Sequence, residues 1–339
     1  MNRKQQKPRK NIGTRAVALA LCAVLSALSF PTEAQQSGRV YRIGYLSPVS
    51  SLRDSTRREG FLRGLREHGY IRGENLVIEY RFANGDLDRQ NELAAELVRL
   101  NVDLIIAGGG TPTARAAKNA THTIPIVMTN AADPVADGLI ASLARPGGNI
   151  TGLTAVTPDL SAKRLEILKE TVPNVFRVTA LWNPAVHERA TDLKEAKAAA
   201  GVFHIKLQPL AVREADDLED AFEAASNERA QALIVLPDPL TNTHQARIVA
   251  LAMKKRLPTM FSQRPPVDAG GLMSYSPSYE ALFRRAATYV DKILNGADPA
   301  ELPVEQPTKF EFIINLKTAK QIGLTIPPNV LARANKVIQ

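Results

Sequence analysis

The sequence predicts an α/β protein with two doubly wound, Rossmann-like lobes joined by a hinge that the chain crosses several times. From Val40 onward, buried-strand patterns alternate with helical patterns of about 10–15 residues, which is typical of right-handed βαβ units with mostly parallel strands. This alternation runs for four to five units and then restarts. The length of 339 residues suits about two domains.

In the first half, short apolar runs predict strands, and apolar residues three and four positions apart predict helices. Phe61, Leu62 and Leu65 share one face of a helix that Gly69 would end. The predicted elements are strands at 40–46, 76–82, 103–107, 124–129 and 150–155, and helices at 54–68, at 88–100, from 112 and from 134.

The second half repeats the pattern and ends in a long amphipathic helix marked by Tyr279, Phe283 and Val290. Its other predicted elements are helices at 161–171, 189–200, 214–226 and 242–256 and strands at 177–182, 203–210, 232–236, 259–262 and 271–275. We expect crossings near 151–158, 274–278 and 314. Residues 35–152 with 276–313 would then form the first lobe, and residues 153–275 with 314–339 the second.

The first 34 residues have the three parts of a secretory signal peptide: a basic head, an apolar run from Ala16 to Phe30, and small residues before a cut after Ala34. The apolar run is shorter than the roughly 20 residues that span a bilayer, although an uncleaved anchor is the alternative. We therefore expect cleavage and a periplasmic location. The bases of the head are Arg3, Lys4, Lys7, Arg9, Lys10 and Arg15.

Composition excludes several classes of function. Cleavage would remove six bases and one acid, so the formal charge of +9 would fall to +4, which gives little reason to expect a nucleic-acid partner. The single Cys22 would leave with the signal, so neither a disulfide framework nor a multi-thiolate metal site is expected. The five histidines are scattered, and no Walker loop, nucleophile elbow or zinc-protease motif occurs. We expect no metal, no cofactor and no enzyme activity.

The loops after the predicted strands are where a ligand would bind in such folds. Gly108–Gly110 let a ligand approach the backbone, and Thr111 as N-cap with Pro112 behind it would leave N–H groups for a carboxylate or phosphate. A plain helix start explains the same residues. Asp133, before Pro134, is read mainly as a structural cap.

The second half offers Asn183, followed by Pro184, and Asp238, held between two prolines. Asp238 could receive a ligand ammonium or hydroxyl groups, and a turn-capping role is about as well supported. Phe261, at a strand end with Trp182 and Tyr275, could stack on a ligand or belong to the core.

Several motifs, in order, resemble the tryptophan-type family of ABC transporter substrate-binding proteins. The resemblance covers the chain from Val40 to Pro327. The motifs are Arg42-Ile-Gly-Tyr-Leu46, Gly60-Phe-x-x-Gly-Leu65, Asn75-Leu-x-Ile-Glu-Tyr80, Gly110-Thr-Pro112, Asp133-Pro-Val135, Pro146-Gly-Gly-Asn-Ile-Thr-Gly152 and the segment from Lys309 to Pro327.

The resemblance implies a type I periplasmic-binding-protein fold that holds a small ligand between its lobes. It places Ser47, Gly110, Thr111, Thr113 and Thr129 around the ligand in the first lobe. In the second lobe it places Asn183, Asp238 and Phe261 there. By the same resemblance, Thr111 would bind a ligand carboxylate and Asp238 its ammonium. The loops at 48–52 and 263–266 differ from the family pattern.

The resemblance implies an exported monomer that captures a small polar solute, such as an amino acid or a related carboxylate. It would deliver the solute to an ABC permease with a cytoplasmic ATPase and meet the membrane only through that permease. A periplasmic ligand sensor that presents to a membrane receptor is the alternative, and a secreted α/β enzyme is a third. A permease pair or a sensor kinase encoded beside the gene would separate the first two.

Overall fold

The computed structural model describes residues 39–52, 54–155, 158–185 and 187–339, in which Tyr41–Gln339 form one compact unit. The predicted signal peptide, residues 1–34, lies outside the described residues. Two separate sheets, each with helices packed on it, confirm the predicted α/β fold with two lobes.

The first lobe is built on a five-stranded parallel sheet. Its elements are strands β1 (Tyr41–Ser47), β2 (Leu76–Phe82), β3 (Leu104–Ala107), β4 (Ile126–Ala131) and β5 (Ile150–Thr154) and helices α1 (Ser55–Glu67), α2 (Leu87–Arg99) and α3 (Thr111–Ala120). The strand order is β2–β1–β3–β4–β5. Every paired strand in it is parallel, as the alternation with helices predicts.

The rest of the chain forms a seven-stranded sheet with its own helices, plus one long helix. In order these are α4 (Pro158–Thr171), β6 (Arg177–Trp182), α5 (His187–Val202), β7 (Lys206–Ala211), α6 (Asp217–Asn227), β8 (Ala232–Val235), α7 (Pro239–Thr243), α8 (Gln245–Lys254), β9 (Thr259–Phe261), α9 (Pro265–Asp268), β10 (Met273–Pro277), α10 (Tyr279–Leu294), β11 (Phe310–Asn315), α11 (Leu316–Ile322), α12 (Pro328–Leu331) and β12 (Lys336–Ile338). The strand order is β12–β11–β10–β9–β8–β6–β7, and β11 runs antiparallel to β10.

Helices cover both faces of the first sheet, because its strands are apolar on both sides. On β1, Tyr45 packs in one apolar cluster with Phe61 of α1 and Phe283 of α10. The next residue, Leu46, packs in the opposite cluster with Leu97 of α2. Helix α10 therefore belongs to the first lobe, although in the chain it lies between β10 and β11 of the second.

The chain passes between the sheets after β5, at Ser278 and before β11. Ser278 N–H donates to the Lys309 carbonyl at 2.9 Å, which holds two of these segments side by side. The sheet places β11 in the second lobe, whereas the sequence prediction put 276–313 in the first. The reason is that Phe312 and Ile314 are buried in the second-lobe core.

Two predicted helices differ from the observed structure. No helix starts at Pro134, where residues 134–138 form turns that end at Gly138 with φ +65°. The predicted helix at 242–256 is two helices, α7 and α8, which meet at His244. In both places the helix is interrupted by the local backbone conformation, which the spacing of hydrophobic residues does not predict.

Helices α1 and α10 approach each other closely at two glycines. A Cβ at Gly60 would stand 2.5 Å from the Glu280 carbonyl oxygen, and one at Gly64 would collide with the Arg284 carbonyl oxygen. These glycines are four residues apart and face the same helix, so they permit the contact. Beside this contact, Arg63 Nη1 forms an ion pair with Glu280 Oε1 at 2.7 Å.

We expect Gly64→Ala to lower the free energy of unfolding by about 1–3 kcal/mol, because the added methyl group must push the two helices apart. Urea denaturation measures the effect. The control is Gly201→Ala near the end of α5, where a Cβ meets nothing within 4 Å. Equal stability changes for the two variants would contradict the close packing of α1 on α10.

Candidate ligand-binding site

The carboxyl ends of the first-lobe strands meet at one edge of their sheet. The pairing of Leu46 with Ala107, of Ala107 with Met128 and of Ala131 with Thr154 brings the loops after these strands side by side. In doubly wound sheets this edge is where ligands bind. The predicted first-lobe residues therefore share one region of the fold.

Helix α3 begins one residue earlier than predicted at this edge. Its N-cap is Gly110, with φ +78° and ψ −164°, and Thr111 is its first helical residue. The backbone conformation of Gly110 favours glycine, since side chains rarely adopt it. The prediction of Thr111 as N-cap was therefore wrong.

The Thr111 side chain is already hydrogen-bonded within the protein. Its hydroxyl donates to Asp137 Oδ2 at 2.8 Å, and the Ala132 N–H donates to Thr111 Oγ1 at 3.4 Å. A hydroxyl has one proton, so in this geometry Thr111 offers none to a ligand carboxylate. Sequence reasoning missed Asp137, because it lies in the segment that was predicted to be a helix.

Thr113 and Thr129 lie beneath this edge rather than on it, since both are fully buried. Thr113 donates to Gln90 Oε1 at 2.6 Å, and Thr129 donates to Asn130 Oδ1 at 2.9 Å. Gly109 lies against Thr113, where a Cβ would collide with its hydroxyl. The two threonines hold the loops in place by these bonds.

A buried acid supports the loop after β1. Asp54 is fully buried and accepts a hydrogen bond of 2.7 Å from the Tyr45 hydroxyl, while Arg57 Nη1 lies 3.9 Å from its other oxygen. Burial raises the pKa of Asp54, and the bond from Tyr45 and the charge of Arg57 only partly oppose that shift. Ser47, at the end of β1, is also fully buried.

Arginine and aromatic side chains pack together over the same loop. The Arg58 guanidinium lies 5.6 Å from the centre of the Tyr80 ring and 5.5 Å from that of the Phe82 ring, and these two rings are stacked. Its Nη2 donates to the Ser51 carbonyl at 3.0 Å. Cation–π contacts of this kind stabilise by about 0.5–2 kcal/mol, so Arg58 ties the loop to β2.

The three predicted residues of the second lobe are largely buried. Asn183 accepts the Ala185 N–H at 2.9 Å, which forms a turn after β6. Asp238 is the N-cap of α7 and accepts the Leu240 N–H at 2.6 Å. Phe261 is 2% exposed and packs in the core of the lobe, where it fills the space beside Gly271.

Sequence reasoning missed a buried cation at the second sheet's carboxyl edge. Arg164 of α4 is 2% exposed, and its guanidinium donates to the Tyr275 carbonyl at 2.8 Å and to the Ser262 carbonyl at 3.4 Å. A helical pattern that places Arg164 on the same face as Leu160 and Leu168 was the available signal. Arg164 thus joins the residue after β9 to the middle of β10.

Among the described residues, no group of three His, Cys, Asp or Glu side chains is arranged to hold a metal ion. In the same part of the chain, no helix is long and apolar enough to cross a membrane. A groove of about 530 Å³ runs along α10 and residues 305–309. Its walls carry ion pairs such as Arg285–Glu305 at 2.7 Å, and none of the eight predicted ligand residues lines it.

Comparison with known protein families finds a match over most of the chain. The family described as ABC transporter substrate binding protein matches residues 43–338. A relative that is named as the tyrosine-binding protein of Clostridioides difficile strain R20291 is 28% identical over 269 residues, which are 79% of this chain and 76% of that protein.

Solved structures with a similar fold include a conserved domain protein from Vibrio cholerae, with a TM-score of 0.78 and 30% identity over 88% of this chain and 100% of that one. An ABC domain in complex with L-Trp from Streptococcus pneumonia also has a TM-score of 0.78, with 28% identity over 88% of this chain and 99% of that one. The two lobes therefore have the type I periplasmic-binding-protein fold.

The buried acid Asp54 should make the stability of the protein depend on pH. Because burial raises the pKa of Asp54 above its ordinary value of 3.8, the folded state holds this proton more tightly than the unfolded chain. Its contribution to stability is therefore full below pH 3.8 and is lost as the pH rises through the raised pKa. Asp54→Asn keeps an acceptor for Tyr45 and removes that loss.

We expect Asp54→Asn to gain stability over the wild type as the pH rises from about 3.8, and then to level off once the pH exceeds the raised pKa of Asp54. The gain is about 1.4 kcal/mol for each tenfold tighter hold on the proton in the folded state. Urea denaturation at several pH values measures this difference. Glu59→Gln, at an exposed acid of the same helix, controls for the loss of one negative charge. A stability difference that shrinks with rising pH would contradict the raised pKa.

Proposed function

The chain belongs to the family of ABC transporter substrate-binding proteins, and from that premise we propose that it captures an amino acid or a related small carboxylate between its lobes. The proposal is supported by the relatives, since one is named as a tyrosine-binding protein and another was solved with L-Trp. The observation that carries it is the presence of polar loops at the carboxyl edges of both sheets.

The ligand's carboxylate would bind on the first lobe, beside Gly110 and Thr111. The first turn of α3 has backbone N–H groups without acceptors in the helix, and these favour negative charge. We propose them as donors in place of the Thr111 hydroxyl, which is bonded to Asp137. Ser47, Thr113 and Thr129 would act by holding this edge in shape.

The ligand's ammonium would bind on the second lobe, near Asn183 and Asp238. Asp238 is 4% exposed and sits rigidly at the start of α7, so it would meet the ligand as the lobes close. Phe261 would support the floor of the site from the core. Binding tight enough for uptake needs roughly −8 kcal/mol, which corresponds to a micromolar Kd.

We further propose that the protein works as an exported periplasmic monomer. It would present the closed, loaded form to a membrane permease, whose cytoplasmic ATPase drives import. The predicted signal sequence at residues 1–34 supports export. Substrate-binding proteins of this family bind small molecules and work with ABC permeases, which supports the choice of partner.

Native mass spectrometry of freshly purified protein, followed by titration with the twenty amino acids, tests this function. We expect a small carboxylate to copurify and at least one amino acid to bind with a Kd near or below about 1 μM. A protein that carries no small molecule and binds no amino acid would contradict the proposal.

Asp238→Asn tests the ammonium site without removing the helix cap, because Asn caps helices about as well as Asp. We expect about 10–100-fold weaker binding, since a charge-assisted hydrogen bond to the ammonium is lost. Isothermal titration with the bound amino acid measures it. Asp298→Asn, at another cap whose acid accepts the Ala300 N–H at 2.9 Å, is the control. Unchanged affinity in Asp238→Asn would remove Asp238 from the site.

A further inference from the structure

The side chain of Asn130 is fixed at the carboxyl edge of the first sheet. Asn130 lies in β4 and is only partly buried. Its Oδ1 accepts the Gly110 N–H at 3.0 Å and the Thr129 hydroxyl at 2.9 Å. The carboxamide is therefore held by donors from two different segments of the edge.

These bonds also decide which way the carboxamide faces. The Gly110 N–H can only donate, so the atom opposite it must be the oxygen, and the Nδ2 group must point the other way. Within the described part of the chain, both hydrogen bonds of the Asn130 side chain use Oδ1, and the two N–H groups of Nδ2 donate to no other residue. A Cβ at Gly110 would stand 3.8 Å from Nδ2, which places the free donor beside the start of α3.

We propose that Asn130 is a specificity-determining residue whose Nδ2 donates a hydrogen bond to the carboxylate of the bound amino acid. This inference rests on the proposed function. Because the Gly110 N–H donates to Asn130 Oδ1, it cannot donate to a ligand. The Nδ2 group of Asn130 supplies a donor to the ligand instead. The ligand carboxylate is thus bound by a side-chain N–H of Asn130 rather than by the backbone N–H of Gly110.

The charged groups nearby leave this role to an uncharged donor. Asp137 lies at the same edge, with its Oδ2 bonded to the Thr111 hydroxyl. Arg115 and Lys118 donate to the backbone carbonyls of Asp137 and of Gly138 and Leu139, respectively. Their cationic groups are thereby tied to the loop, and among these described neighbours the Asn130 amide keeps N–H groups that can meet a ligand acceptor.

Asn130→Asp isolates the outward group. The new carboxylate can still accept from Gly110 and Thr129, while Nδ2 becomes a negatively charged oxygen. With L-tryptophan or L-tyrosine as the probe, we expect about 100-fold weaker binding in calorimetric titration, from a lost donor and an added repulsion. The amines tryptamine and tyramine lack the carboxylate, so their affinity should fall less than threefold or rise.

Two further measurements separate ligand recognition from a structural role. Relative to the wild type at the same pH, the affinity of Asn130→Asp for the amino acid should recover as the pH falls from about 7 to about 4, because protonation of the new carboxylate restores a donor. The comparison at equal pH removes the effect of acids such as Asp238 that both proteins share. In wild-type protein, the Asn130 side-chain amide resonances, identified by their proximity to the Gly110 N–H, should shift when the amino acid is added. This second measurement does not depend on how the variant folds.

Each outcome decides one claim. A wild-type protein that binds no amino acid contradicts the proposed function itself. If the wild type binds but Asn130→Asp binds equally well, or loses amino acid and amine to the same extent, the role of Asn130 is overturned. Amide resonances of Asn130 that do not respond to a saturating amino acid overturn it as well.

Discussion

The hydrogen bond from the Gly110 N–H to the Asn130 carboxamide joins the start of α3 to the end of β4, and the first half of the site depends on this contact. Gly110 makes this bond from a backbone conformation with positive φ, which glycine adopts without strain, at the N-cap of α3. The bond from Thr111 to Asp137 then fixes the next loop against the helix. Loops that are already held in place strengthen binding, because less conformational entropy is lost when the ligand binds.

The parallel sheets and their alternation with helices were predictable, because burial on both faces leaves apolar strands and one-sided helices in the sequence. The lobe assignment of β11 was not predictable, since an antiparallel strand reached by a long crossing has no periodic signal of its own. The helix expected at Pro134 failed for a local reason. Gly138 adopts a positive φ there, and the segment ends after a single turn instead of continuing as a helix.

The candidate site was predictable by region and less so by atom. Gly110, Thr111, Asn183 and Asp238 do lie at strand ends, as the positions of Gly, Pro and polar residues predicted. Their hydrogen bonds could not be predicted. Asp137, for example, is 26 residues from Thr111 in the sequence and reaches its hydroxyl only because of how the loop after β4 folds. Arg164 and Asn130 were missed since each looks like an ordinary residue of its helix or strand until its partners are known.

The proposed function requires that an amino acid binds between the carboxyl edges of the two sheets. A crystal structure of the protein saturated with L-tryptophan or L-tyrosine tests it most directly. We expect a ligand whose carboxylate lies within hydrogen-bond distance of Asn130 Nδ2 and the start of α3, and whose ammonium faces Asp238. A ligand bound instead in the groove along α10, or one that touches a single lobe, would contradict it.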